Sequence, residues 1–174
     1  MTGFALVTPS FNQAAFLPAC LESVQGQAGV TLEHEVRDGG STDGTVALLK
    51  AWPRPLRWSS GPDGGQVAAI NAGLQSLPGE LCGYLNSDDV LLPGALAAVA
   101  KAFAEDPALD LLYGRAWFID AAGRRTREYP TLDYDFRHLV QHCFVCQPAT
   151  FWRRRLHERH GWFDPSFDST FDYE

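Results

Sequence analysis

The amino-acid sequence predicts an α/β fold with a mostly parallel, doubly wound sheet and an appended β-hairpin. Short apolar segments alternate with amphipathic segments in residues 1–106, and a polar turn follows each apolar segment. Strands that alternate with helices form parallel sheets, because each helix returns the chain to the starting edge of the sheet. After Pro107 the alternation gives way to two β-forming segments around a glycine turn, which indicates the hairpin.

Residues 1–106 are predicted to form four strands and four helices in alternation. The first helix is supported by apolar residues at helical spacing, namely Phe16, Leu17, Leu21 and Val24. The fourth helix is expected to run from Pro93, since proline is accepted in a first turn, to about Glu105. The strands are residues 4–8, 32–37, 56–59 and 81–85, and the other helices are residues 13–25, 43–52 and 65–76.

The second part of the chain is predicted to begin with the hairpin. Its strands are expected at residues 110–119 and 124–129, around a turn at residues 121–123. The pattern then predicts a short helix, a strand and another helix, over residues 133–142, 149–153 and 153–160. Because no linker or repeat interrupts the sequence, we expect residues 1–174 to form a single domain.

The composition is that of an ordinary globular protein with excess negative charge. Hydrophobic residues make up 45% of the chain and charged residues 20%, with a net charge of −7 and a pI near 5.1. A general nucleic-acid-binding protein needs a basic face, so we expect no nucleic-acid partner. The sequence has neither an apolar run of membrane-spanning length nor a signal-peptide pattern, and a cytoplasmic protein is the simplest expectation.

The four cysteines are expected to be reduced. Cys20 and Cys82 lie in apolar segments, which is typical of core residues. Cys143 and Cys146 have the spacing of a zinc or redox site, but a structural zinc ion needs about four ligands and no second pair is present. We therefore favour a buried apolar strand or helix for this pair.

Four polar turns follow predicted strands, at residues 8–12, 38–45, 61–66 and 86–89. In the last turn, Asp88 and Asp89 are adjacent acids, which repel each other and are costly to desolvate. They either cap the next helix in solvent or bind a hard divalent cation, since carboxylate oxygens suit Mg²⁺ and Mn²⁺. A parallel sheet would place all four turns along one edge, where open α/β sheets bind ligands.

In this order and at this spacing, the turns resemble the motifs of inverting family 2 glycosyltransferases of the GT-A type. The motifs are T-P-S-F-N at 8–12, D-G-G-S-T-D-G-T at 38–45, P-D-G-G-Q at 62–66 and N-S-D-D at 86–89. The resemblance implies an enzyme that moves a sugar from a nucleotide-diphosphate donor to an acceptor hydroxyl, with Mn²⁺ or Mg²⁺ as cofactor. It also implies a nucleotide-binding half at residues 1–106 and an acceptor-side half at residues 107–174.

The same resemblance implies where the metal ion binds. Asp89 would bind the metal, and Asp88 would contact the ribose or assist the metal. Asn86 stands where an acid is commoner in the family, which suggests weaker metal affinity. Gly61 stands where glutamate is common, so one contact to the nucleotide or the sugar is expected to be missing.

Donor recognition is likewise implied by the resemblance. Asp38 would accept a hydrogen bond from a nucleobase N–H, which suits uracil, thymine or guanine and hence a UDP, dTDP or GDP donor. Thr8 and Pro9 would line the base pocket, mostly with backbone groups. Asp63 and Gln66 belong to the stretch that would close over the nucleotide.

The catalytic base is expected near the end of the chain. The resemblance favours Asp172, within F-D-Y-E at 171–174, with Asp164 and Asp168 as rivals because each also follows a phenylalanine. Such a base needs a pKa raised by burial or by neighbouring carboxylates. The alternative is that these acids are exposed in a terminal loop. The family motif normally leads into further elements, so we expect a chain truncated at its C-terminus.

The basic residues of the chain concentrate in one run, Arg153 to Arg155, followed by His157, Arg159 and His160. This run would hold the diphosphate or meet anionic lipid headgroups, or it is simply a solvated helix face, which is the commonest case. The acceptor is expected to be a glycan or a lipid-linked molecule. Peripheral contact with the inner face of the membrane would follow from a lipid-linked acceptor, and envelope polysaccharide synthesis is the implied setting.

Two other classes of function remain as alternatives, a sugar-phosphate nucleotidyltransferase and a scaffold domain. A sugar-phosphate nucleotidyltransferase usually has a glycine-rich, basic first loop, but this chain has no Lys or Arg before Arg37. A dinucleotide oxidoreductase would show Gly-x-Gly-x-x-Gly after the first strand, and this pattern is absent from the sequence. A degenerate nucleotide-binding domain that serves as a scaffold is the non-enzymatic alternative.

Overall fold

The computed structural model describes residues 3–167 and contains an α/β domain with eight strands and six helices in that range. The strands are β1 (Gly3–Ser10), β2 (Thr31–Asp38), β3 (Arg57–Ser60), β4 (Leu81–Tyr84), β5 (Leu111–Tyr113), β6 (Trp117–Ile119), β7 (Arg125–Glu128) and β8 (Thr150–Arg153). The helices are α1 (Leu17–Gln25), α2 (Thr45–Ala51), α3 (Gln66–Ser76), α4 (Ala95–Glu105), α5 (Phe136–Leu139) and α6 (Arg155–His160).

The main sheet is mostly parallel, as the alternation of strands and helices predicts. Its order is β3-β2-β1-β4-β8-β5, and the first four of these strands are parallel to one another. β8 pairs antiparallel with both β4 and β5. The four predicted strands of the first half are confirmed, and their carboxyl ends lie at one edge of the sheet.

Helix α4 begins later than predicted. Gly94 takes a left-handed conformation with φ of 78° and serves as the N-terminal cap, so that the helix starts at Ala95. Pro93 therefore precedes the helix and does not lie in its first turn. Helix α5 is also much shorter than the predicted span of residues 133–142.

The β-hairpin is confirmed, but its first strand was predicted too long. Residues 110–119 form two strands, β5 in the main sheet and β6 in a separate two-stranded sheet with β7. The chain leaves the main sheet after Tyr113, where the Gly114 N–H donates to the carbonyl oxygen of Ala149 at 2.9 Å. The hairpin is therefore a unit of its own beside the main sheet.

The core lies on both faces of β1. Phe4 and Leu6 point to the face covered by α1 and α4, and Ala5 and Val7 point to the face covered by α3. All four side chains are essentially inaccessible to solvent. Burial of both faces is typical of a parallel strand and holds the carboxyl end of β1 in a fixed position.

The cysteine prediction is confirmed for Cys20 and Cys82, which are buried free thiols. It is wrong in part for the other two, because Cys143 is exposed and neither residue lies in a strand or helix. Cys146 is buried, and burial raises the pKa of its thiol to about 11. No helix in the described part of the chain is long and apolar enough to cross a membrane.

Candidate active site

A cavity of about 540 Å³ lies where the carboxyl ends of the parallel strands meet, and we call it the polar cavity. All four polar turns contribute to its walls, as the parallel topology predicts. Its lining consists of Pro9, Ser10, Phe11, Gln13, Gly39, Asp63, Gly65, Gln66, Ala69, Asn86, Ser87 and Asp88. The structure thus brings together residues that lie up to 79 positions apart, from Pro9 to Asp88.

Four of the predicted site residues line the polar cavity directly, namely Pro9, Asp63, Gln66 and Asp88. Three others are not part of this lining, namely Thr8, Asp38 and Asp89. Thr8 is fully buried and its hydroxyl group lies 2.9 Å from Nε2 of His34, so its side chain is turned away from ligands. Asp172 and Asp168 lie outside the described residues.

Asp38 shapes the turn that follows β2. Its Oδ2 accepts hydrogen bonds from the backbone N–H groups of Gly40 and Ser41 and from the Ser60 hydroxyl, at 3.1, 3.0 and 2.6 Å. Its Oδ1 accepts from the Ser41 hydroxyl. Burial opposes ionisation, but these hydrogen bonds prevail and hold the pKa of Asp38 below its usual value. Oδ1 thus accepts one hydrogen bond, whereas Oδ2 accepts three.

Asn12 ties the first turn to the second, a role that the sequence analysis missed. Its backbone N–H donates to the Ser41 hydroxyl at 2.7 Å, and its side-chain oxygen accepts from the Thr42 N–H at 2.9 Å. Asn12 has a φ of 54°, a left-handed conformation that asparagine tolerates better than most residues. An asparagine at a strand-to-helix turn is the signal that could have pointed to it.

The turn that carries Asp63 is built on glycine. Gly64 and Gly65 have φ values of 82° and 101°, conformations that favour glycine. The Gly65 N–H donates to Oδ1 of Asp63 at 2.9 Å, which holds the carboxylate at the cavity wall. A Cβ atom on Gly39 would lie 3.3 Å from Oδ2 of Asp63, so the second and third turns are in close contact.

The adjacent acids differ in environment. Asp88 is exposed and lines the polar cavity, whereas Asp89 is half-buried. Burial, together with the charge of Asp88, raises the pKa of Asp89 to about 6, although a hydrogen bond from the Asn86 side chain opposes this shift. An added positive charge would therefore stabilise the ionised pair.

These acids fit a divalent ion that arrives with its substrate better than a permanent metal centre. Among residues 3–167, no group of three or more His, Cys, Asp or Glu side chains is arranged to hold a metal ion. Mg²⁺ is commonly bound through one or two carboxylates and completes its shell with water and substrate phosphates. The burial of Asp89 and the charge of the adjacent Asp88, which together raise the pKa of Asp89, favour such an ion here.

Three side-chain amides form a hydrogen-bonded chain at the edge of the polar cavity. Nε2 of Gln66 donates to Oδ1 of Asn86 at 2.7 Å, and Nδ2 of Asn86 donates to Oε1 of Gln147 at 3.3 Å. Nε2 of Gln147 in turn donates to the Tyr84 carbonyl oxygen at 2.8 Å. The amide chain, as we call these three residues, thus connects α3, the acidic turn and the segment before β8.

The expectations for the basic run are wrong for Arg153, Arg154 and Arg155, whose side chains are structural, whereas Arg159 and His160 are exposed on α6, as expected of a solvated helix face. Arg153 is buried, forms an ion pair with Glu80 and donates to the carbonyl oxygens of Leu109 and Phe103. Arg154 donates to three further backbone carbonyls, and Arg155 pairs with Asp110. The three side chains therefore neither form a solvated helix face nor remain available for a diphosphate or a lipid headgroup.

Asp164 is the one candidate base within the described residues. It is exposed, and the backbone N–H of Ser166 donates to its Oδ1 at 2.8 Å. This hydrogen bond lowers the pKa of Asp164 below its usual value. The shift is opposite to the one that a general base requires.

Comparison with known proteins connects this geometry to a family. The family described as Glycosyl transferase family 2 matches residues 5–161. A PGL/p-HBAD biosynthesis glycosyltransferase of Mycobacterium bovis (strain BCG / Pasteur 1173P2) is 32% identical over 158 residues, covering 88% of this chain and 60% of the relative. The O-antigen biosynthesis protein RfbC of Myxococcus xanthus is 36% identical over 131 residues, covering 72% of this chain and 10% of that protein. The chain therefore spans less than two thirds of either relative.

Solved structures share the fold. TarS 1-349 of S. aureus in complex with UDP superimposes with a TM-score of 0.74 and 21% identity, covering 99% of this chain and 53% of that chain. Mannosyltransferase PcManGT of Pyrobaculum calidifontis, in complex with GDP-Man and Mn²⁺, gives a TM-score of 0.72 and 20% identity, with 99% and 50% coverage. At this level of identity the similarity establishes a common fold.

Proposed function

The chain belongs to glycosyltransferase family 2 and has the GT-A fold, and from this premise we propose that it forms the donor-binding part of a metal-dependent, inverting glycosyltransferase. The observation that carries the proposal is the convergence of four polar turns on one cavity of about 540 Å³. This volume lies within the range of about 300–1,000 Å³ that is usual for small-molecule sites.

The donor nucleotide is proposed to lie along the first and second turns. Phe11 is 61% exposed at the cavity wall, where its ring can stack on a nucleobase. The backbone of Thr8 and Pro9 would flank the base, and Oδ1 of Asp38 would accept its N–H. A base that presents an N–H at this point belongs to a UDP, dTDP or GDP donor. The neighbouring structures that hold UDP and GDP-Man are consistent with this choice.

The diphosphate and its metal ion are proposed to lie at the acidic turn. Asp88 and Asp89 would hold Mn²⁺ or Mg²⁺, which neutralises charge on the departing nucleotide diphosphate. Asp88 presents its carboxylate to the cavity, and Asp89 supports it from the half-buried side. Asp63 and Gln66 lie across the same cavity, where they are placed to contact the ribose or the donor sugar.

For the base that deprotonates the acceptor hydroxyl, Asp172 remains our proposal, with Asp168 as its rival. The lowered pKa of Asp164 does not favour that residue as the base. In an inverting reaction the base removes the hydroxyl proton while the hydroxyl oxygen displaces the nucleotide diphosphate in line.

The acceptor is proposed to be a glycan or a lipid-linked molecule of the cell envelope, handled in the cytoplasm or at the inner face of the membrane. The support comes from relatives that are described as acting in O-antigen biosynthesis and in PGL/p-HBAD biosynthesis. A chondroitin synthase of Pasteurella multocida, 34% identical over 113 residues, is a further relative that builds a polysaccharide.

The proposal is tested by thermal unfolding with UDP, dTDP, GDP and ADP, each with Mn²⁺ and with a chelator. A ligand at about one hundred times its dissociation constant stabilises the folded state by about 2.7 kcal/mol, or several degrees. We expect such a shift for one of the first three nucleotides, and only with Mn²⁺. Asp88→Asn and Asp89→Asn should fold, because each relieves charge repulsion, but should lose the Mn²⁺-dependent shift.

Asp133→Asn is the matched control, since Asp133 is an exposed acid outside the lining of the polar cavity. It should behave like the parent protein. If no nucleotide raised the unfolding temperature of the parent protein, the result would favour a non-enzymatic scaffold domain over an enzyme. If both Asp88→Asn and Asp89→Asn kept the full Mn²⁺-dependent shift, the assignment of Asp88 and Asp89 as metal ligands would be wrong.

A further inference from the structure

A second cavity, of about 430 Å³, lies beyond the amide chain and has a different character from the polar cavity. Its walls are mainly aromatic and aliphatic, and we call it the aromatic cavity. The side chains that define it include Tyr84, Tyr113, Val145, Trp152, Trp162 and Phe163. Its volume is also within the range that is usual for small-molecule sites.

The polar groups in these walls are largely satisfied by one another. The Trp152 indole N–H donates to Nε2 of His157 at 2.9 Å, and Nδ1 of His157 lies 3.1 Å from the carbonyl oxygen of Gly161. The Tyr113 hydroxyl donates to the Leu132 carbonyl oxygen at 2.9 Å. A bare sugar ring would find few donors and acceptors here, whereas an alkyl or aryl group would bury apolar surface.

The aromatic cavity adjoins the polar cavity through the amide chain. Gln147 and Tyr84 line the aromatic cavity, while Gln66 and Asn86 line the polar cavity. The hydrogen bond between Asn86 and Gln147 therefore crosses the wall between the two cavities in a single contact of 3.3 Å. Gln147 in the wall of the aromatic cavity is therefore one hydrogen bond away from Asn86 of the acidic turn.

An amide suits position 86 because it both accepts and donates hydrogen bonds in this connection. Asn86 accepts from Gln66 through its oxygen and donates through its nitrogen to Gln147 and to Asp89. An ionised aspartate has no donor, so it would lose both donated hydrogen bonds and would add a third charge beside Asp88 and Asp89. The neutral side chain at this position is thus explained by the contacts that it makes.

We propose that the aromatic cavity binds an apolar alkyl or aryl group attached to the acceptor sugar, and that Gln147 is the positioning residue that aligns this group with the polar cavity. The inference rests on the proposed function, because an acceptor requires a donor in the polar cavity. It names the acceptor class as a glycoside with an apolar aglycone, as opposed to a free sugar.

The binding test compares octyl β-glucoside, below its critical micelle concentration, with methyl β-glucoside, which differs only in the aglycone. Indole N–H signals in NMR spectra report the site, because Trp152 and Trp162 line the aromatic cavity and Trp58 does not. We expect octyl β-glucoside to shift the signals of Trp152 and Trp162 and leave Trp58 unchanged. Methyl β-glucoside should shift none of them at the same concentration.

A matched pair of variants tests whether octyl β-glucoside binds in the aromatic cavity. Val145→Phe fills part of the aromatic cavity and should weaken octyl β-glucoside binding about tenfold or more. Val140→Phe adds the same group at an exposed position outside the cavity lining and should leave binding unchanged. Equal affinity in the parent and Val145→Phe would overturn the proposal, as would unshifted Trp152 and Trp162 signals in the parent.

The role of Gln147 is tested by the coupling between the two ligands. In the parent, the nucleotide with Mn²⁺ should raise the affinity for octyl β-glucoside by about fivefold or more, and the converse effect should be equal. In Gln147→Ala the affinity for octyl β-glucoside, whatever its value, should no longer change when the nucleotide and Mn²⁺ are added. Independent binding in the parent would overturn the positioning role. A glucoside that binds while no nucleotide does would overturn the proposed function and the acceptor role with it.

Discussion

His34, in β2, is a half-buried histidine that the motifs did not indicate. Its Nε2 lies 2.9 Å from the hydroxyl of Thr8, at the first turn of the polar cavity. Within residues 3–167 its other ring nitrogen, Nδ1, has no hydrogen-bond partner. Burial lowers the pKa of His34 to about 4, so the folded protein holds a neutral imidazole there. Protonation of His34 alone therefore affects the contact with Thr8 beside the polar cavity, which makes this contact sensitive to acid.

We predict that His34 causes part of the loss of stability at low pH. Above about pH 6.5 the imidazole is neutral in both states and has no effect. Between pH 6.5 and pH 4 the unfolded chain binds a proton that the folded protein does not, so the free energy of unfolding falls as the pH falls. The loss should reach about 1–3 kcal/mol, measured by urea unfolding at several pH values.

His34→Gln should remove this component, because glutamine retains a polar contact to Thr8 but does not titrate. His138→Gln is the control, since His138 is exposed in α5. Parallel stability–pH curves for His34→Gln and the parent would contradict the prediction. The comparison also separates the effect of His34 from that of Asp89. Because the pKa of Asp89 is raised in the folded protein, Asp89 makes the free energy of unfolding rise as the pH falls.

The close packing of α3 on β1 depends on Gly73. A Cβ atom at this position would lie 2.6 and 2.8 Å from the two methyl carbons of Val7, closer than real Cβ contacts. Gly73 therefore allows α3 to approach the central strand of the sheet. The same helix begins at Gln66, so its distance from the sheet also sets the position of a residue in the amide chain.

Gly73→Ala is predicted to destabilise the protein by about 1–3 kcal/mol, despite the higher helix propensity of alanine. Chemical denaturation measures the effect. Val7→Ala removes the two methyl groups in question, so the double variant should be more stable than the sum of the single effects predicts. Strict additivity of the two substitutions would show that the contact is not the cause.

Across the whole molecule, Arg154 joins the two parts of the chain. Its guanidinium group donates to the carbonyl oxygens of Gly79, Leu74 and Leu77 at 2.6, 2.8 and 2.8 Å. Leu74 belongs to the last turn of α3, where carbonyl groups lack partners within the helix. Arg154, which lies between β8 and α6, thus supplies a hydrogen-bond donor to the C-terminal end of α3, in residues 1–106.

We predict that residues 1–106 and 107–174 unfold as one cooperative unit, which Arg154 helps to maintain. Arg154→Ala leaves three carbonyl groups without this donor and should cost about 2–4 kcal/mol. Hydrogen exchange should show equal loss of protection in α3 and β8. Arg159→Ala removes an exposed arginine that pairs with Asp110, and it should cost less than about 1 kcal/mol. Loss of protection in β8 alone would indicate two independent parts.

The sequence by itself determined the parallel half of the sheet and the place of the polar cavity. Apolar segments, glycine turns and helix signals are local patterns, and they located the strands β1 to β4 within a few residues. The parallel arrangement then required their four turns to meet, which the lining of the polar cavity confirms. Local patterns sufficed because every strand in this half ends at the same edge.

Only the tertiary structure decided which side chains face the polar cavity and which support the fold. Arg153 looks like a surface charge in the sequence, yet it is buried against Glu80, which lies 73 positions away. Gln147 meets Asn86 across 61 positions, and no local pattern predicts that contact. Such pairings depend on how β8 inserts antiparallel beside β4. Hydrogen bonding and burial between distant segments are set by packing, and a sequence pattern does not contain them.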